Sequence, residues 1–223
     1  MEVYFQYGET EIEYLKKADK RLAEVIEKVG IVKRIIIPDL FPALVNSIIG
    51  QQISTKAHQT IWERMNQKLG DISPTVINDL SLDELQKFGI TFKKAAYIQA
   101  AAQKIISGEF NIQELKKMSD EEVCGKLSEL DGIGTWTAEM LMLHSMQRPN
   151  ILSYGDLAII RGIRMIYHHR SIDRAKFERY KKRYSPYASV ASLYIWAVAG
   201  GAVENMKDYE PKIRTSNGKR RND

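Results

Sequence analysis

The chain has 223 residues, 44% hydrophobic and 27% charged, with a net charge of +5; it can bury a core as one domain, is too apolar for wholesale disorder, and leans towards a polyanion without deciding for one. Its one cysteine, Cys124, excludes an internal disulfide and a thiolate-held metal cluster and fits a reducing cytoplasm; the four histidines, His58, His144, His168 and His169, show no metal-ligand spacing and read as structural or surface residues. The first residues, MEVYFQYGETEIEY, lack the basic start and apolar run of a secretory signal, and the longest apolar run, Val190 to Val203, falls short of the ~20 residues that span a bilayer.

From Thr10 to Lys28, Ile12, Leu15, Leu22, Val25 and Ile26 recur at helical spacing and predict one amphipathic helix closed by Gly30. IVKRIIIPDLFPALV, interrupted by Pro38 and Pro42, reads as an extended lead into a helix that runs to Gly50. Ser54 is the expected N-cap of the next helix, whose stripe is Ala57, Ile61, Trp62, Met65 and Leu69. Two short helices follow around Ser73 to Leu80 and Ser81 to Phe88, the second opened by a Ser81–Glu84 capping box. The stripe Phe92, Ala95, Ile98, Ala102 and Ile105 marks another helix, closed by Gly108, and Ser119 with Glu122 opens the next. After residue 156 come an apolar helix, a basic one from Asp173 to Tyr184 and an apolar one from Pro186 to Ala199. No strand and no long repeat is evident, so the class is all-α.

The central string is LSELDGIGTWTAEML. A helix should end at Leu130, Gly132 and Gly134 permit a tight turn, and a new helix starts near Thr135. The free amides of that first turn and the positive end of its dipole suit a phosphate, although a Gly-Ile-Gly turn can also merely join two helices. Asp156 reads first as an N-cap, a place that also favours an ionised carboxylate. Trp136 is equally a core or a site residue. Gln51 and Gln52 can simply bond a helix end, while Lys93, Lys94 and the run Arg179, Lys181, Lys182, Arg183 can be solvated faces.

LDGIGTWTAEMLML, with Asp156 following in SYGDLAI, resembles the helix-hairpin-helix signature of the DNA glycosylase superfamily. The likeness extends to ALVNSIIGQQIS, GITFKKAAYI and SPYASVASLYIW, from about Pro38 to Gly200, and is nearest to the 3-methyladenine DNA glycosylase II branch. It implies two helical lobes around an active-site cleft within one domain over 1–223. The approximate lobes are 41–150, with the hairpin at 127–146, and 1–40 plus 151–210, followed by a basic tail at 211–223. It also implies a DNA glycosylase that flips alkylated purines such as 3-methyladenine and 7-methylguanine out of double-stranded DNA and hydrolyses the N-glycosidic bond.

In that reading Asp156 stabilises the charge that develops on the sugar, and Trp136, Trp196 and Met140 wall the base pocket. An aromatic wall suits a cationic methylated base. Gln52, rather than Gln51, fills the vacated stack; Gly132, Gly134, Thr135, Thr137, Lys93 and Lys94 hold the DNA backbone. Carbonyls of Ser128, Leu130 and Ile133 would hold a monovalent cation, Na+ or K+. Trp136 stands where strand-cutting relatives carry a lysine, so no lyase step is expected. Met140 replaces a pocket tyrosine and Ala188 an arginine found in relatives. No organic cofactor, no membrane association and a cytoplasmic monomer are expected. The rivals are a non-catalytic helix-hairpin-helix DNA-binding module and a glycosylase for oxidised or deaminated bases.

Overall fold

In the computed structural model, which describes residues 2–210, Asp19 breaks the first amphipathic stretch in two; the expected basic tail at 211–223 lies outside the described residues. α1 (Glu9–Ala18) ends there and α2 (Lys20–Val29) begins, because the Asp19 carboxylate accepts from the N–H groups of Arg21 and Leu22, both at 3.0 Å. The single helix expected over Thr10 to Lys28 is therefore two. Asp19 is buried and also accepts from Arg183, so that arginine belongs to a structural pair rather than to a solvated face. A second correction concerns strands. β1 (Val3–Tyr4) pairs antiparallel with β2 (Ile35–Ile36), Val3 opposite Ile36 and Tyr4 opposite Ile35. Two residues per strand are too few for an alternating pattern to show in a sequence.

The helices that follow start at the expected caps. α3 spans Leu40–Gly50; α4 (Thr55–Leu69) is capped by Ser54, whose Oγ accepts from the Ala57 N–H at 3.2 Å. α5 (Pro74–Asn78) and α6 (Leu82–Gln86) lead to α7 (Phe92–Ile106), and after a 3-10 turn comes α8 (Asp120–Ser128). Both capping boxes, Ser81 with Glu84 and Ser119 with Glu122, are formed. The chain closes with α9 (Thr135–His144), α10 (Leu157–Tyr167), α11 (Arg174–Tyr184) and α12 (Ala188–Ala199). α8 stops at Ser128, short of Leu130, and α12 starts two residues beyond Pro186.

Packing falls into two groups. α10 lies on α12 so closely that a Cβ at Gly162 would stand 2.4 Å from the Ile195 carbonyl oxygen; α2 packs on both, and α1 rests against α11 and α12. In the other group α3 touches α4, α7 and α9, α7 covers α5 and α6, and α8 pairs with α9. Fully buried side chains such as Leu15, Leu22, Leu44 and Ile48 fill these contacts, each stabilising the fold by roughly 1.5–3 kcal/mol. We take the two groups as lobes. Among the described residues no helix is long and apolar enough to cross a membrane.

Candidate active site

The segment between α9 and α10 carries a carboxylate into the space between the lobes, and α9 and α12 pin it in place. The Ile151 N–H donates to Ser189 Oγ at 2.9 Å, Ser192 Oγ donates to the Ile151 carbonyl at 2.9 Å, and Ser153 Oγ donates to the Glu139 carboxylate. Asp156 follows. Its Oδ1 accepts from the N–H groups of Ala158 (2.8 Å) and Ile159 (3.0 Å), which caps α10. Its Oδ2 accepts from the Trp136 indole N–H at 3.1 Å. One oxygen therefore serves the helix while the other meets the indole. Asp156 is only 8% exposed, whereas Trp136 at the start of α9 is 46% exposed.

Asp156, Trp136, Met140 and Trp196 line one cavity of about 600 Å³, together with residues of α3 and α4. Trp136, Met140 and His144 stand four residues apart on α9 and so share one face of it, running from an exposed ring to a half-buried one. His144 stacks on Trp196, ring centroids 5.3 Å apart. His58 also lines the cavity and bonds the Asn46 carbonyl through Nε2 at 3.0 Å. These two histidines, read from the sequence as structural or surface residues, thus stand at the cavity wall, each held by a neighbour there. His144 was findable as the next step of the Trp136–Met140 row. Arg34, which also lines the cavity, follows no pattern in the sequence.

Burial pushes the His144 imidazole down to about 4, the Arg34 charge acting in the same direction and Asp156 against it. The folded value lies below the ~6.5 of a free histidine. The stability contributed by the neutral ring is therefore present above ~6.5 and lost as the pH falls through that value towards 4. Thermal melts taken from pH 7.5 down to pH 4 should show the midpoint falling over that window, and falling less in His144→Phe.

The hairpin and the Gln51–Gln52 turn are tied together. Gln51 Nε2 donates to the Gly132 carbonyl at 2.7 Å, so Gln51 is a strut and not a free plug. Gln52 is exposed with φ +55°, turned out of the helix end. The Lys94 ammonium donates to the Ile49 carbonyl (2.9 Å) and the Gln51 carbonyl (2.6 Å). That corrects its expected place on the DNA backbone: a cation at a helix C-terminus satisfies orphan carbonyls, and burial lowers its pKa. Lys93 stays exposed, 5.6 Å from the Tyr97 ring centroid. Gly134 caps α9 and Thr135 is exposed beside it, but Thr137 is buried and faces the cavity, which corrects its placement on the backbone-binding side. Leu130 and Ile133 are buried, and the Leu130 carbonyl takes the Ile133 N–H at 3.0 Å. Among the described residues no group of three or more His, Cys, Asp or Glu is placed to hold a metal ion.

Comparison with known proteins agrees with this geometry. The family model described as HhH-GPD superfamily base excision DNA repair protein matches residues 45–186. The Bacillus subtilis protein YfjP is 27% identical over 168 residues, which is 70% of this chain and 58% of that one. DNA-3-methyladenine glycosylase 1 of Schizosaccharomyces pombe is 25% identical over 179 residues, 78% of this chain and 76% of its own. The chain therefore spans less than two thirds of the first relative and about three quarters of the second. A solved structure of DNA-3-methyladenine glycosidase from Bacillus halodurans superposes with a TM-score of 0.80 at 34% identity, covering 93% of this chain and 97% of that one. With the family model matched over more than half its length and the fold shared almost end to end, this chain belongs to the HhH-GPD superfamily of base excision DNA repair proteins.

Proposed function

We propose that the chain is a monofunctional DNA glycosylase that hydrolyses the N-glycosidic bond of alkylated purines flipped out of double-stranded DNA. The observation that carries this is the Asp156 carboxylate, bonded to Trp136 at the wall of a cavity of about 600 Å³, within the size range of small-molecule sites. Breaking the bond builds positive charge on the sugar, and a fixed carboxylate beside it stabilises that charge without reorganising. The rings of Trp136 and Trp196 give a cationic methylated base electron-rich faces. The cavity lining, among the described residues, includes no lysine, which supports hydrolysis without a Schiff base. No organic cofactor is required, since a cationic base is already a good leaving group, and the enzyme would act as a monomer in the compartment that holds the DNA.

The free amides at the start of α9 fit a DNA phosphate. The carbonyls of Ser128, Leu130 and Ile133 would hold a monovalent cation; the Leu130 carbonyl, though it accepts from Ile133, keeps a second lone pair. Such a cation would add positive charge beside that phosphate.

Incubating the protein with methylated duplex DNA should release 3-methyladenine or 7-methylguanine; DNA binding without release of any damaged base would favour the non-catalytic binding module. Gln52→Ala should slow excision from a fully paired site more than from a mispaired one, because only the paired site needs a plug to hold the helix open. Equal slowing at both sites would remove Gln52 from that role.

A further inference from the structure

Two groups in the cleft have no part in the chemistry proposed above. His144, half-buried at the inner end of the α9 row, lines the cavity and stacks its ring on Trp196 at 25° from parallel. An imidazole on a cavity wall can give or take a hydrogen bond from whatever enters. Arg34 lines the same cavity from the residue before β2, where its carbonyl takes the Phe5 N–H at 2.8 Å and fixes its backbone. Its guanidinium is exposed, and none of the ion pairs among the described residues includes it.

Position along α9 says which part of a base these groups would meet. Each four-residue step from Trp136 to Met140 to His144 advances ~6 Å. A nucleotide whose sugar lies at Asp156, beside Trp136, therefore sends its base along this row with the far edge towards His144 and Arg34.

We propose that Arg34 and His144 read the position-6 edge of the flipped purine and favour a 6-oxopurine lesion, such as 7-methylguanine, over a 6-aminopurine lesion, such as 3-methyladenine. The proposal rests on the glycosylase reading and sharpens its substrate. A guanidinium only donates hydrogen bonds. It therefore donates to a carbonyl at position 6, though not to N7, which the methyl group occupies in 7-methylguanine, and opposes an amino group donor against donor. His144, held neutral by burial and by the Arg34 charge, has one donor and one acceptor and can accept from the N1–H beside the carbonyl. Arginine thus sets the polarity and histidine supports it.

Duplex DNA treated with dimethyl sulfate contains both lesions, and chromatography of the released bases gives both rates from one substrate. Both are cationic, so deleting the Arg34 charge acts on the two alike and their ratio isolates the edge contact. Arg34→Met should lower the 7-methylguanine to 3-methyladenine ratio about tenfold, the size expected for one charged hydrogen bond. His144→Phe, which keeps the stack, should move the ratio the same way by less. Arg34→Lys, which keeps a charged donor for the one acceptor O6, should change the ratio less than Arg34→Met does. Release of both bases by Arg34→Met at the parent's ratio overturns this proposal alone. Release of neither base by the parent protein overturns the glycosylase reading and this one with it.

Discussion

Asp156→Asn should lower base release by about 10²–10³-fold while the protein stays folded and still binds DNA, because the two oxygens of this carboxylate do different work. Oδ1 takes the Ala158 and Ile159 N–H groups, and an Asn amide oxygen can accept the same two bonds. Asn is as good an N-cap as Asp, so the loss of stability should stay near or below ~1 kcal/mol. Oδ2 takes the Trp136 indole N–H, and there the substitution sets an amide NH₂ against another donor. The negative charge next to the sugar disappears together with that bond. Removing one aimed electrostatic group from an active site typically costs ~3–4 kcal/mol of transition-state stabilisation, which is the stated rate loss. Single-turnover excision from methylated DNA measures the rate, and fluorescence anisotropy with an abasic-site duplex measures binding. A variant that releases bases at the parent's rate takes Asp156 out of the chemistry.

The helices were legible because their starts are written in short strings. Ser54, Ser81 and Ser119 each sit one residue before a helix and accept from its free amides. Asp19 follows the same rule, yet the apolar period runs across it and conceals the break; its partner Arg183 comes from the far end of the chain. Side-chain destinations were harder to read. A lysine at the start of a helix looks the same in sequence whether it meets a phosphate or, as Lys94 does, turns onto the carbonyls of Ile49 and Gln51. Gln51 and Gln52 are neighbours of one type, and only the backbone separates them, one reaching the Gly132 carbonyl and the other held at φ +55° in the open. Trp136 and Asp156 could be named from their strings, but not the bond between them, since their approach depends on how α9 and α12 hold the loop.

The two hairpin glycines should respond to alanine in different ways. Gly132 has φ +80°, and a Cβ there would stand 2.4 Å from Cδ2 of the Tyr97 ring. Alanine must then bear a left-handed backbone, worth ~1–2 kcal/mol, and an overpacked contact, worth ~1–3 kcal/mol. For a chain of this size that lowers the melting midpoint by about 5–15 °C. Relief of the clash would shift the Gly132 carbonyl and with it Gln51, so the Gln51–Gln52 turn would loosen and excision would fall along with stability. Gly134 has φ −90° and nothing within 4 Å of a built Cβ. Gly134→Ala should therefore melt within a degree or so of the parent. Yet Gly134 caps α9, where a phosphate would meet the free amides, and a methyl group there would hold that phosphate away. Its DNA affinity should fall several-fold with no loss of fold. Melting curves and anisotropy titrations on both variants test the division: one glycine keeps the turn closed and the other keeps it open to DNA. Equal losses of stability in the two would show that the hairpin uses both glycines for its own backbone alone.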